Sequence, residues 1–86
     1  MPVVSRFMGI VIRMYFDEHA PPHIHAEYAG HKAVLDFRGN VSRGDLGSRT
    51  ALRLVRDWID LRATDLQLDW ERAQSGKELL PIAPLD

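Results

Sequence analysis

The chain contains no cysteine among its 86 residues. That absence excludes a disulfide framework, a thiol nucleophile, a thiolate zinc site and a thiol redox switch. Any metal must therefore be held by histidine and carboxylate. Long apolar runs are missing as well. No stretch approaches the ~20 residues that span a bilayer, and Arg6 and Arg13 interrupt the segment from Met1 to Phe16 where a signal-peptide core would lie. A cytoplasmic protein with no membrane association is expected. Charge of one sign is not in excess: the formal net charge is -1, so any attraction to nucleic acid or acidic lipid must come from a local patch. A glycine-rich phosphate loop, an HExxH helix motif and a defensible Ser-His-Asp order are also absent, which disfavours those enzyme classes.

What remains is ordinary globular composition, 45% hydrophobic and 27% charged, in a length that supports one core. One domain over residues 1–86 is expected. Ile10, Ile12, Met14 and Phe16 alternate with Val11, Arg13 and Tyr15, the period of a strand over about residues 9–16. Asp17 to Pro22 must turn, because Pro21 and Pro22 lack backbone donors. Residues 23–28 and 32–37 then read as a hairpin. With Ala29-Gly30 as its loop, the register sets Glu27 opposite Lys32, Ala26 opposite Ala33, His25 opposite Val34, Ile24 opposite Leu35 and His23 opposite Asp36. Ile24, Ala26, Ala33 and Leu35 then share a core face, and His23, His25, Glu27, Lys32 and Asp36 share a polar one. Gly39-Asn40 makes a second turn, with Val41–Arg43 as a short further strand.

From Ser48 the apolar period becomes helical, with Ala51, Leu54, Val55, Trp58, Ile59 and Leu61 three and four apart. Thr64 and Gln67 have the form of a capping box that starts a second helix. That helix buries Leu66, Trp70 and Ala73 and stops at Gly76. The expected fold is α+β: an antiparallel sheet of three to four strands followed by two helices packed on one face. The proline-broken tail from Leu79 to Leu85 is expected to lie extended over the core or a neighbouring chain.

The chemistry concentrates in Asp17-x-His19-x3-His23-x-His25, followed by Glu27 and Asp36. Alternate strand positions place His23 and His25 on one side about 7 Å apart, from which both imidazoles can converge on one divalent metal. Asp36, Glu27 or Asp17 would complete a two-histidine-one-carboxylate set, with His23, His25 and Asp36 taken as the metal-binding alternative. Equally, His23 and His25 with His19 can serve as metal-free acid and base in phosphodiester cleavage, an arginine stabilising the developing charge. Against both stands a structural reading in which the histidines are solvated or His23 pairs with Asp36. His31 is expected in the turn and exposed, and Trp58 and Trp70 are expected in the core.

Charge is segregated along the chain. Arg38, Arg43, Arg49, Arg53 and Arg56 precede Asp57, Asp60, Asp65, Asp69 and Glu71. Arg49, Arg53 and Arg56 form one helical stripe near a helix N-terminus, where the macrodipole disfavours cations. An acidic partner or RNA phosphate would compensate. The plainer alternative is a solvated face on which Arg53 and Arg56 meet Asp57 and Asp60.

The opening Met1-Pro2-Val3-Val4-Ser5-Arg6-Phe7, the segment from Ile12 to His19 and above all Pro21-Pro22-His23-Ile24-His25-Ala26-Glu27-Tyr28 resemble the small bacterial domain-of-unknown-function family 4160. Leu68-x-Trp70 and Ile82-Ala83-Pro84-Leu85 fit it too. The resemblance implies a small, stand-alone bacterial protein, often encoded beside another small protein in a toxin–antitoxin-like arrangement. Its motif residues here are His19, Pro21, Pro22, His23 and His25, and it brings no catalytic assignment. The function expected is therefore a toxin–antitoxin-type module that binds a small partner protein, with Arg49, Arg53 and Arg56 as the partner interface or an RNA contact and the histidine cluster as a candidate acid–base site. The alternatives are a non-catalytic metal- or partner-binding module and a structural homo-oligomer. The sequence itself requires no cofactor.

Overall fold

In the computed structural model, which describes residues 2–86, five strands precede two helices. The strands are β1 (Val3–Phe7), β2 (Ile10–Arg13), β3 (His23–Tyr28), β4 (His31–Asp36) and β5 (Val41–Gly44), and the helices are α1 (Arg49–Leu61) and α2 (Ala63–Gln74). The strands form one antiparallel sheet in sequence order. The sheet is thus wider than the three to four strands expected. The unforeseen member is β1, which turns into β2 through Met8 and Gly9, both at positive φ (50° and 79°). That is the backbone of a tight primed hairpin turn, and a methionine in it carries no turn signal.

The central hairpin has the register that alternation dictates, from His23 opposite Asp36 to Glu27 opposite Lys32, and closes through Ala29 and Gly30, again both at positive φ. His31 lies at the start of β4 opposite Tyr28, not in the turn, and is exposed as expected. β2 is shorter than the alternation suggested, because Tyr15 and Phe16 already belong to the loop that leads through Asp17 (φ 56°) and a cis Ala20–Pro21 bond into β3. Ile10, Ile12, Ile24, Ala26, Ala33 and Leu35 form a fully buried face. They share a core with Val55, Trp58, Ile59, Leu66, Trp70 and Ala73 of the helices, with Phe7 stacked on Trp58 at 5.6 Å. Both tryptophans are core residues, as the helical period required.

Ser48 caps α1, its hydroxyl accepting from the Ala51 amide at 3.1 Å. The capping box at Thr64 does not form. α2 starts one residue earlier, with Arg62 serving as the last cap of α1 and the first of α2, and Gln67 reaches forward to Glu71 instead. With no linker between the helices there is no room for a separate cap. Arg62 is engaged elsewhere: its guanidinium donates to the carbonyls of Ala83 and Pro84, and the Trp58 indole donates to Ala83 as well. These bonds fix the extended tail over the chain's own core, where Ile82 is buried and donates its amide to the Val4 carbonyl. Among the described residues no helix is long and apolar enough to cross a membrane.

Candidate functional site

The open face of the sheet carries a cross-strand row. Arg13 pairs with His25, His25 with Val34 and Val34 with Arg43, one residue from each of β2 to β5. His23 lies two positions from His25 on the same side of β3. The loop between β2 and β3 folds back over this end of the sheet and delivers Glu18. The Gln74 amide at the end of α2 holds that loop by donating to the Glu18 carbonyl at 3.0 Å.

The result is a compact triad. His25 Nε2 lies 2.5 Å from Glu18 Oε1, and His23 Nε2 lies 3.3 Å from Glu18 Oε2. These three donor groups all fall within 4.8 Å of one another. His23 is further fixed by its Nδ1, which donates to the Pro21 carbonyl at 2.9 Å, so the diproline turn orients the imidazole. The His23 ring packs against Trp70 and against His25, each with centroids 5.4 Å apart, and Tyr15 meets His25 edge-on at 4.4 Å. The His23 side chain retains 15% exposure, enough to reach water from a packed position. Burial pushes the Glu18 carboxyl up, but the hydrogen bond from His25 and the charges of His25 and His23 outweigh it and hold the group below its ordinary value.

His23 poses an accounting problem. Its Nδ1 faces a carbonyl and its Nε2 faces a carboxylate, and both of those groups only accept. The ring satisfies both as an imidazolium. As a neutral imidazole it keeps its proton on Nδ1 and leaves an Nε2 lone pair facing Glu18, a pairing that a cation between them would resolve.

The triad opens on a cleft of about 350 Å³ whose walls include His19, Pro21, Val34, Asp36, Ser42 and Arg43. His19 lines this cleft and is exposed, but it stands outside the triad. Asp36, expected to complete a metal set with the histidines, is occupied otherwise. Its Oδ1 accepts from the Arg38 and Asn40 amides at 2.8 and 3.0 Å, and its Oδ2 from the Asn40 side chain. Burial raises the Asp36 carboxyl, and those backbone hydrogen bonds bring it below its usual range. It is a turn-binding carboxylate, and the carboxylate that reaches the histidines is Glu18. Glu27 is taken by an ion pair with Arg13. Glu18 was within the motif as the residue between Asp17 and His19, yet no periodicity links a loop residue to a strand face.

The arginine stripe is divided. Arg49 and Arg53 are exposed on α1, whereas the Arg56 Nε donates to the Gly39 carbonyl at 2.8 Å and ties α1 to the β4–β5 turn. Arg53 and Arg56 form no ion pair with Asp57 or Asp60. Arg49 lines a separate hollow beside Ser48 and Leu52, whose walls include neither His23 nor His25.

The family model described as Domain of unknown function (DUF4160) matches residues 9–71, which include all of the triad, Arg43 and most of α2. The chain belongs to this family. No curated protein and no solved structure matches it. Within this DUF4160 chain, the matched region begins at the β1–β2 turn and ends inside α2, leaving β1 and the tail outside it.

Proposed function

We propose that this small cytoplasmic DUF4160 protein is a divalent-metal-binding module, with Glu18, His23 and His25 as the protein ligands. The observation that carries the reading is the convergence of two Nε2 atoms on one carboxylate. Donors bound to one zinc ion at about 2.0–2.1 Å lie about 3.3 Å from each other in tetrahedral geometry. The separation of His23 Nε2 from Glu18 Oε2, 3.3 Å, has that value, and the 2.5 Å contact of His25 with the other carboxylate oxygen, Oε1, has to open by about 0.8 Å to reach it. The Nδ1–H of His23 on the Pro21 carbonyl is the outer-shell bond that metal-ligating histidines characteristically make. Two imidazoles and one carboxylate suit first-row divalent ions, and the open cleft leaves positions for water or substrate. The metal-free acid–base alternative fits less well. In-line displacement at phosphorus needs acid and base on opposite sides of the reacting group, whereas here both Nε2 atoms point at the same carboxylate.

Equilibrium dialysis against zinc, nickel and manganese tests the reading. One equivalent of zinc or nickel is expected, manganese binding more weakly, and His23→Ala and His25→Ala should each lower zinc affinity at least tenfold. Retention no greater than that of a Glu18→Ala/His23→Ala/His25→Ala triple variant would sink it.

A second reading concerns the partner. The exposed, unpaired guanidiniums of Arg49 and Arg53 favour an acidic surface or RNA as the complement of α1, as in a toxin–antitoxin-type pair. Co-purification from the native host, compared with an Arg49→Glu/Arg53→Glu variant, tests it. A stoichiometric small protein or RNA that persists with the variant would remove the stripe from the contact.

A further inference from the structure

Arg43 is the one residue of the cross-strand row whose chemistry is unspent. Arg13, at the other end, is ion-paired with Glu27. The Arg43 side chain makes no hydrogen bond or ion pair among the described residues, and the residue is exposed on β5. Between it and His25 stands only Val34, a side chain too short to block an arginine that leans across it. Two strand spacings put the His25 and Arg43 backbones about 10 Å apart, and an arginine side chain spans more than half of that. Arg43 accordingly lines the cleft that holds Glu18, His19, His23 and His25.

The carboxylates nearby do not neutralise it. Asp36 has both oxygens committed to the turn at residues 38–40, and Glu18 faces the histidines. A second hollow of about 310 Å³ adjoins the first and shares His25, Val34 and Arg43 with it, its remaining walls including Tyr15, Lys32 and Gly44. Arg43 therefore stands at the junction of two depressions, one ending on the triad and the other on Tyr15 and Lys32.

We propose that Arg43 and the Glu18–His23–His25 centre together form a binding site for a phosphate ester, the phosphate lying in the first hollow and its organic substituent in the second. The assignment rests on the metal reading above and goes beyond it by naming the ligand class. A phosphate can give one oxygen to a metal on the triad and turn two others to a guanidinium. A carboxylate that gives one oxygen to the metal has a single oxygen left for the guanidinium and loses one of the two parallel contacts. The guanidinium grips two phosphate oxygens through parallel N–H donors, which lysine cannot reproduce.

The test uses the full chain loaded with one equivalent of zinc, titrated calorimetrically with inorganic phosphate and with uridine 5′-monophosphate. Arg43→Ala should retain zinc and bind the monophosphate at least tenfold more weakly, and Arg43→Lys should fall between, while Lys77→Ala, beyond the end of α2 and outside both hollows, should match the unaltered protein. Tighter binding of the ester than of inorganic phosphate is expected from the second hollow, and equal affinities would overturn the ester assignment. Zinc retention with phosphate binding absent, or unchanged in Arg43→Ala, would refute this inference and leave the metal reading standing. Failure of the unaltered chain to retain zinc would refute both.

Discussion

Replacing Glu18 by glutamine keeps the size of the side chain and an acceptor for His25 while removing its charge. In the native triad Glu18 accepts from His25 at 2.5 Å and faces His23 at 3.3 Å. A hydrogen bond to a charged group contributes about 1.5–3 kcal/mol and a neutral one about 0.5–1.5. The difference is about 1 kcal/mol, and with these side chains 15–28% exposed, solvent screening keeps it from growing much larger. In a chain of 86 residues, about 1 kcal/mol moves the melting temperature by about 4–8 °C. The pH dependence has a definite sign. The folded Glu18 carboxyl titrates below its ordinary 4.5, so its contribution to stability is complete above that value and is lost as pH falls through the folded one. Glutamine does not titrate. Asp36, also lowered, titrates alike in both proteins and cancels. Melts followed by circular dichroism in the presence of EDTA should therefore show Glu18→Gln less stable above pH 4.5, with the two proteins converging as the pH falls from there through the lower, folded value. A gap that stays constant or widens as the pH falls below 4.5 would refute the assignment of that stability to the Glu18 carboxylate.

Two other substitutions probe the frame that positions the site. A Cβ at Gly44 would sit 2.2 Å from the Lys32 carbonyl oxygen, whereas one at Gly30 meets nothing within 4 Å, although both residues have φ near 80°. Gly44→Ala should cost about 2–4 kcal/mol and Gly30→Ala about 1, and equal losses in urea denaturation would show that the β4–β5 approach is not tight. Asp69 is fully buried, its Oδ1 accepting from Arg72 at 2.7 Å and from the Leu80 amide at 3.0 Å. Asp69→Ala should cost about 2–4 kcal/mol and expose the tail to proteolysis, and a loss under about 1 kcal/mol would show that the tail is held by Trp58 and Arg62 alone.

Much of this fold could be read from alternation. The β3–β4 register followed from placing Ile24, Ala26, Ala33 and Leu35 on one face, because a one-residue slip would have put His23 and His25 in the core. The helical stripes identified both tryptophans as core residues for the same reason. β1 was not legible: Val3 to Phe7 is short, its pairing with β2 is broken by an irregularity between Val3 and Ser5, and its turn uses methionine. The helix junction was misread because a local capping pattern at Thr64 competes with direct continuation from Arg62, and tertiary bonds to the tail decide the matter. The histidines of the candidate site were visible at their strand spacing. Glu18 was not, because its place depends on the diproline loop and on Gln74, which lies far along the chain. Asp36 stood opposite His23 in register, yet the amides of its own turn claimed both of its oxygens. Arg43 was counted with the other arginines when its meaning lay in the row it completes across the sheet.

The most direct test of the metal centre is the nitrogen NMR spectrum of the histidine rings as zinc is added. The account predicts that Nε2 of His23 and His25 shifts on binding one equivalent while the His23 Nδ1–H is retained, and that His19 and His31 stay as they were. Unchanged rings, or shifts centred on His19 or His31, would contradict it.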